Sequence, residues 1–176
     1  MGAAQGRVSQ GRVWREHLLI FVCIGSRDYQ FNRLLKELDR LVASGELTEE
    51  LFAQIGQSEY TPQHYRWERY LDSETFRKCQ QEADMIITHA GVGTLLSSLK
   101  MGKTVIAVPR YAALGEHIDD HQIQVADALS GEGHLYQVTD IADLGKTIAI
   151  AKEKPLSKEY DRPSYITGLI KEFIGE

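Results

Sequence analysis

Asp84-Met85-Ile86-Ile87-Thr88-His89-Ala90-Gly91-Val92-Gly93-Thr94 is the stretch on which the fold turns. Asp84–Thr88 is a short apolar run and predicts a strand. His89–Gly93 is a turn with two glycines. Thr94–Met101 continues at helical spacing until Gly102 stops it. Strand, glycine turn and helix in that order open a β–α unit, whose strand belongs to a parallel sheet and is buried on both faces.

Upstream, Leu18-Leu19-Ile20-Phe21-Val22-Cys23-Ile24 is a second buried strand, ended by Gly25. Its apolar run and the arginines before it faintly resemble a secretory signal, but it is short and no small-residue cleavage site follows. A helix follows, with Phe31, Leu34, Leu35, Leu38, Leu41 and Val42 at spacings of three and four, and Gly45 ends it. Leu51–Ile55 is a short strand closed by Gly56. Residues 57–72 are polar and aromatic and hold a short strand at best; Tyr60–Tyr70 reads as core packing and loop anchoring, or as a groove. Ser73 caps a helix to Glu82. Downstream, Thr104–Val108 is a buried strand ended by Pro109, and residues 110–118 are a loop. Asp119 or Asp120 caps a helix to about Leu129. His134–Val138 is a last strand, and Asp140 caps a helix to about Lys152. Glu153–Arg162 is a linker. Pro163 opens a final amphipathic helix with the stripe Ile166, Leu169, Ile170, Phe173 and Ile174. Strands alternating with helices give an α/β, doubly wound parallel sheet.

The 176 residues predict one domain, and 43% hydrophobic residues provide its core. Twenty Lys and Arg against 25 Asp and Glu leave a net charge of −5. Arg7, Arg12, Arg15 and Glu16 make residues 1–17 +2, so residues 18–176 carry −7. Residues 1–17 read as a flexible basic tail or start-site extension. The acidic body argues against a nucleic-acid footprint. No stretch has the ~20 apolar residues that span a bilayer. Cys23 and Cys79 are too few for a disulfide framework or metal site and read as thiols of a reducing compartment.

In open α/β sheets ligands bind beyond the carboxyl ends of the strands. Three segments lie there: Gly25-Ser26, His89–Thr94 and Pro109–Gln122. In the second, Gly91 and Gly93 allow close backbone approach, and the helix that follows offers free N–H groups and a positive dipole end to an anion. Thr94 is placed to cap that helix or bind a phosphate oxygen, and His89 to donate to the same anion. It is neither a Walker loop nor the three-glycine dinucleotide fingerprint. A tight structural turn is the other reading. The third segment, Arg110-Tyr111-Ala112-Ala113-Leu114-Gly115-Glu116-His117-Ile118-Asp119-Asp120-His121-Gln122, is dense in polar groups. Hydrogen bonds to sugar or ribose hydroxyls, a solvated helix start, and metal ligation by Glu116, His117, Asp120 and His121 stay open; no clean i, i+4 pair supports the metal. No catalytic carboxylate pair or nucleophile elbow is assignable.

Together these segments resemble the C-terminal domain of glycosyltransferase family 28, the donor-binding half of MurG-like enzymes. The likeness runs in order through Phe21-Val22-Cys23-Ile24-Gly25-Ser26, Phe31-Asn32-Arg33-Leu34, Gln54-Ile55-Gly56-Gln57-Ser58, Thr88–Thr94, Gly102-Lys103, Val108-Pro109-Arg110 and Gly115–Gln122, over residues 18–152. It is nearer to small free-standing members: the catalytic subunit of the eukaryotic two-component N-acetylglucosaminyl transferase of dolichol-linked oligosaccharide synthesis, and above all the bacterial exopolysaccharide subunits PssE and EpsF.

The resemblance implies a Rossmann-like single GT-B half-domain that binds a UDP-sugar as substrate, with no cofactor and no essential metal. In it, Gly91, Gly93 and Thr94 would hold the diphosphate through backbone N–H groups, with Val92 in the same turn and His89 beside it. Gln122, His121 and Asp120 would meet sugar or ribose hydroxyls, and Arg110, Glu116 and His117 complete the donor-binding set. Gly25-Ser26 would face the diphosphate. Two positions depart from the family: Ser97 stands where many relatives have a ribose-binding Glu, and Ser26 where Thr is usual. Relatives carry the catalytic base in an acceptor-binding half, and 176 residues lead us to expect none here. The expected setting is therefore a heteromer at the cytoplasmic membrane face, in which a membrane-anchored PssD-type partner supplies the base and the lipid-linked saccharide acceptor site. The 166–174 stripe is a candidate docking helix, or packs on its own domain. The alternative is a non-catalytic enhancer subunit.

Overall fold

The computed structural model describes residues 8–9, 12–13, 17–156, 168 and 171. Within the expected basic tail, β1 (Val8–Ser9) pairs antiparallel with β2 (Arg12–Val13). The stripe Ile166–Ile174 lies outside the described residues.

The apolar run after Leu18 forms β3 (Leu19–Cys23), followed by α1 (Asn32–Ala43) and β4 (Glu50–Gln54). Then come β5 (Arg66–Glu68), α2 (Ser73–Glu82), β6 (Met85–Thr88), α3 (Val92–Lys100) and β7 (Thr104–Ala107). A three-residue 3-10 turn (Ala112–Leu114), α4 (His121–Gly131), β8 (Tyr136–Gln137), a second such turn (Ile141–Asp143) and α5 (Leu144–Glu153) complete the order.

Six strands form one parallel sheet in the order β5-β4-β3-β6-β7-β8. The chain leaves β3 toward one edge, returns, and leaves β6 toward the other. This is the doubly wound, Rossmann-like order, with its switch point between β3 and β6. Alternation along the strands divides the core. Ile20, Val22, Met85, Ile87 and Ile106 face α1 and α5; Phe21, Cys23, Ile86, Val105 and Ala107 face α2, α3 and α4. On α1, Leu34, Leu35, Leu38 and Leu41 form one fully buried stripe, as their spacing requires.

Several boundaries differ from the sequence expectation. α3 starts two residues early, at Val92, because Gly91 takes an extended conformation and serves as its N-cap. Thr94 is thus inside the helix and does not cap it. Asp72, not Ser73, caps α2: its carboxylate accepts from the Thr75 N–H at 2.9 Å. At α4 the residue in the N-cap position is Asp120, but the Asp119 carboxylate accepts the His121 N–H at 3.0 Å. The Asp120 carboxylate instead accepts from Ala112 N–H at 3.0 Å. Asp140 caps the second 3-10 turn, from which α5 continues.

No helix crosses from β4 to β5. The aromatics Tyr60, Tyr65 and Trp67 cover the α1 side of the core instead, which decides their role as packing. The buried Asp39 of α1 pins the segment. Its carboxylate accepts from Tyr60 O–H at 2.6 Å, Gln63 N–H at 3.0 Å and His64 N–H at 2.8 Å.

Candidate functional site

The carboxyl ends of β3, β6 and β7 meet at the switch point. Gly25 follows β3 with a φ of +84°, which favours glycine. A Cβ there would lie 3.0 Å from His89 Cε1 and 3.8 Å from Arg110 Nη1. A Cβ on Gly91 would lie 2.5 Å from His89 Nε2, too close for any side chain. Ala90 between them is fully buried with a φ of +66°, a strained conformation for alanine. Two missing side chains and one strained residue therefore let the His89 ring pack against Gly25 and Gly91, with Arg110 beside Gly25.

His89 is buried, and burial together with the Arg110 charge pushes its pKa down to about 3. Its Nδ1 lies 3.4 Å from the Cys23 carbonyl oxygen and 3.3 Å from Thr88 Oγ1. A carbonyl only accepts, so we assign the proton to Nδ1 and leave Nε2 as an acceptor. His89 is thus a neutral imidazole that presents a lone pair toward Gly91. The expected donation from His89 to an anion would use the other tautomer.

Arg110 is 2% exposed. Its Nη2 donates to the Ile24 carbonyl at 2.6 Å, and the guanidinium lies 5.2 Å from the Phe31 ring centre. Its Nε is buried without a partner. Burial pushes its pKa down to about 10, against the attraction of Glu116 and Tyr29. It remains a cation at neutral pH. The neighbouring carboxylate, Glu116, is engaged elsewhere: both its oxygens accept from Arg33 at 2.9 Å. Arg110 is therefore a desolvated cation with an unsatisfied N–H, beside Gly25 and His89. That arrangement calls for an anion.

The other expected residues take distinct places. Val92 and Gly93 are the first two residues of α3, and Gly93 is exposed. Thr94 and Thr88 side chains contact the Cys23 thiol, whose burial raises its pKa to about 12. Ser97 donates to the Thr94 carbonyl at 3.2 Å and accepts from the Gln80 amide at 2.8 Å. Gln122 accepts the Arg110 N–H through Oε1 at 3.2 Å. The His117 ring lies 4.8 Å from that of Tyr29, and its Nδ1 is 3.2 Å from the Asp119 carboxylate. His121 begins α4, and Ser26 is exposed in the loop after Gly25. The structure therefore brings Gly25, His89, Gly91 and Arg110 into one cluster. Glu116, Asp120 and Gln122 brace the loop around it. Among the described residues, no group of three or more His, Cys, Asp or Glu is placed to hold a metal ion. Arg33, Tyr29 and Phe31 were not anticipated as site residues. Phe31 and Arg33 stand in the motif Phe31-Asn32-Arg33-Leu34, which marks the start of a helix and gives no sign of a site.

The model of the glycosyltransferase family 28 C-terminal domain matches residues 19–167. The chain belongs to that family. Among the proteins it is similar to is the UDP-N-acetylglucosamine transferase subunit ALG13 of Mus musculus, 34% identical over 96 residues. The human protein of that name is 33% identical over 96 residues, and that of Candida glabrata 31% over 80. These matches cover 51%, 51% and 43% of this chain. They span only 8% of the mouse and human proteins and 38% of the yeast one. The fold is shared with the solution NMR structure of ALG13, at a TM-score of 0.62 and 16% identity, over 92% of this chain and 98% of that one. MurG of Acinetobacter baumannii gives a TM-score of 0.60 at 18% identity, over 92% of this chain and 50% of that chain. The family 28 match contains all three segments of this cluster and the loop that braces it.

Proposed function

We propose that the chain is the donor-binding subunit of a two-component, metal-independent hexosyltransferase. It takes a UDP-sugar and passes the sugar to a lipid-linked saccharide acceptor in exopolysaccharide or related glycan synthesis. Arg110 carries this reading: a buried cation with an unpartnered N–H, beside Gly25 and the His89 ring that packs on Gly91. In the transfer step the acceptor oxygen bonds to the anomeric carbon, the bond to UDP breaks, and negative charge collects on the leaving diphosphate. Backbone N–H groups at the start of α3, its dipole and Arg110 stabilise that charge. The acceptor's proton goes to a base on the partner, a membrane-anchored subunit of the PssD type. That partner holds the chain at the cytoplasmic face of the membrane. Among the described residues no helix is long and apolar enough to cross a membrane. His121, Gln122 and the loop before them would meet the sugar and ribose.

Calorimetric titration with a panel of UDP-sugars tests donor binding, and transfer with the partner present tests the reaction. Binding of at least one UDP-sugar, and transfer only with partner present, are expected. A second reading, a non-catalytic enhancer subunit, is favoured by Ser97, whose hydroxyl is engaged by Gln80 and Thr94. Failure to bind any UDP-sugar with or without the partner would establish that reading in place of the first.

A further inference from the structure

The segment of residues 111–120, between β7 and α4, buries no apolar side chain. Its 3-10 turn buries no side chain, and Leu114 and Ile118 are 59% and 75% exposed. Ordering such a loop costs conformational entropy that no apolar burial offsets. Glu116 is buried in its midst, and it is held from far away in sequence. Arg33 of α1 donates through Nε and Nη2 to the two oxygens of Glu116, each at 2.9 Å, in a two-pronged pair shielded from solvent.

Two further bonds give this pair a direction. Arg33 Nη2 also donates to the Pro109 carbonyl at 3.2 Å. Glu116 Oε2 also accepts the Tyr111 N–H at 3.0 Å. The pair therefore grips the backbone on both sides of Arg110. The Arg33 guanidinium lies 5.2 Å from the Tyr111 ring centre and 5.4 Å from that of Phe31, so it cannot swing freely. Its position is unfavourable for its own helix: α1 has no acidic residue in its first turn and no side-chain cap, and a cation there opposes the dipole. A residue that breaks a local rule while meeting a distant geometry marks a functional position.

We propose that Arg33, acting through Glu116, is the positioning residue for Arg110. It sets the aim of the buried guanidinium and so the affinity for the anionic nucleotide donor. This rests on the donor-site reading above. The test is calorimetric titration of UDP-sugars against wild type, R33A, R33K, E116A, R33A/E116A, R110A and R33A/R110A, with thermal unfolding to confirm folding. R33A and E116A should each weaken binding by about 10–100-fold, the usual cost of losing the group that orients a ligand-holding one. R33A/E116A should be no worse than the weaker single, because both act through one contact. In an R110A background, with donor at millimolar concentration, R33A should make no further difference. A merely structural role would still lower affinity there. R33K keeps the charge but loses the two-pronged geometry; it should fall between wild type and R33A, and it carries the test if R33A does not fold. Binding by R33A within twofold of wild type, or an R33A effect that persists in R110A, overturns the proposal alone. A wild-type chain that binds no UDP-sugar overturns the donor reading and this proposal together.

Discussion

Arg110 is a residue that the fold tolerates rather than needs. Its guanidinium is buried, its Nε has no partner, and the carboxylate beside it belongs to Arg33. Replacing a buried charge by a well-packed apolar side chain of similar volume is often neutral or stabilising by about 1–4 kcal/mol. Arg110→Met should therefore unfold in urea at or above the wild-type midpoint, while its affinity for UDP-sugars falls at least about tenfold, in line with losing a charge-assisted contact worth roughly 1.5–3 kcal/mol. Stability and binding should move apart. A variant that loses more than about 1 kcal/mol of stability would mean the arginine is structural, since that is the normal cost of removing an ordinary intramolecular hydrogen bond. His89 makes a related point. Its neutral state follows from burial and from the neighbouring arginine, neither of which the glycine turn announces.

At the scale of elements, the unusual piece is the β4–β5 connection, which replaces a helix with aromatic side chains tied to one carboxylate. Burial pushes the Asp39 pKa up, but the hydrogen bonds from Tyr60, Gln63 and His64 outweigh it, and the net direction is down. A carboxyl whose pKa is lower in the folded chain contributes stability that is fully present above its unfolded value of about 4 and is lost as pH falls through the folded value. Asp39→Asn should cost about 1–3 kcal/mol at pH 7, the range for leaving buried donors without their acceptor. The gap between wild type and variant in urea unfolding should narrow as the pH is taken below 4. An equal gap at pH 7 and pH 3 would show that the charge is not what anchors the segment. Much of this scale was legible in the sequence. The apolar runs at Leu18–Ile24 and Thr104–Val108 and the leucine stripe of α1 report their own periodicity, and the switch-point edge followed from strand alternation. The start of α3 was missed because Gly91 caps through its backbone, leaving no polar side chain to read. The Arg33–Glu116 pair was illegible for a different reason: 83 residues separate its members, and only the closed sheet brings α1 against the loop after β7.

The molecule as a whole is acidic, with a net charge of −5, yet the proposed ligand is an anion. The resolution lies in where the attraction originates. The candidate site offers backbone N–H groups at the start of α3 and a single buried arginine, not a basic surface. Buried charges are screened far less by salt than exposed ones, for which the Debye length is about 10 Å at 0.1 M. The long-range field of the acidic surface works the other way and repels the donor, and salt weakens that repulsion. Raising NaCl from 50 to 500 mM should therefore leave UDP-sugar affinity within about threefold of its starting value, or strengthen it, because the screened component is the unfavourable one. Isothermal titration at the two salt concentrations measures this directly. A loss of tenfold or more would mean that exposed Lys and Arg side chains hold the diphosphate, and it would move the donor away from Arg110 and the glycine turn to the surface of the domain.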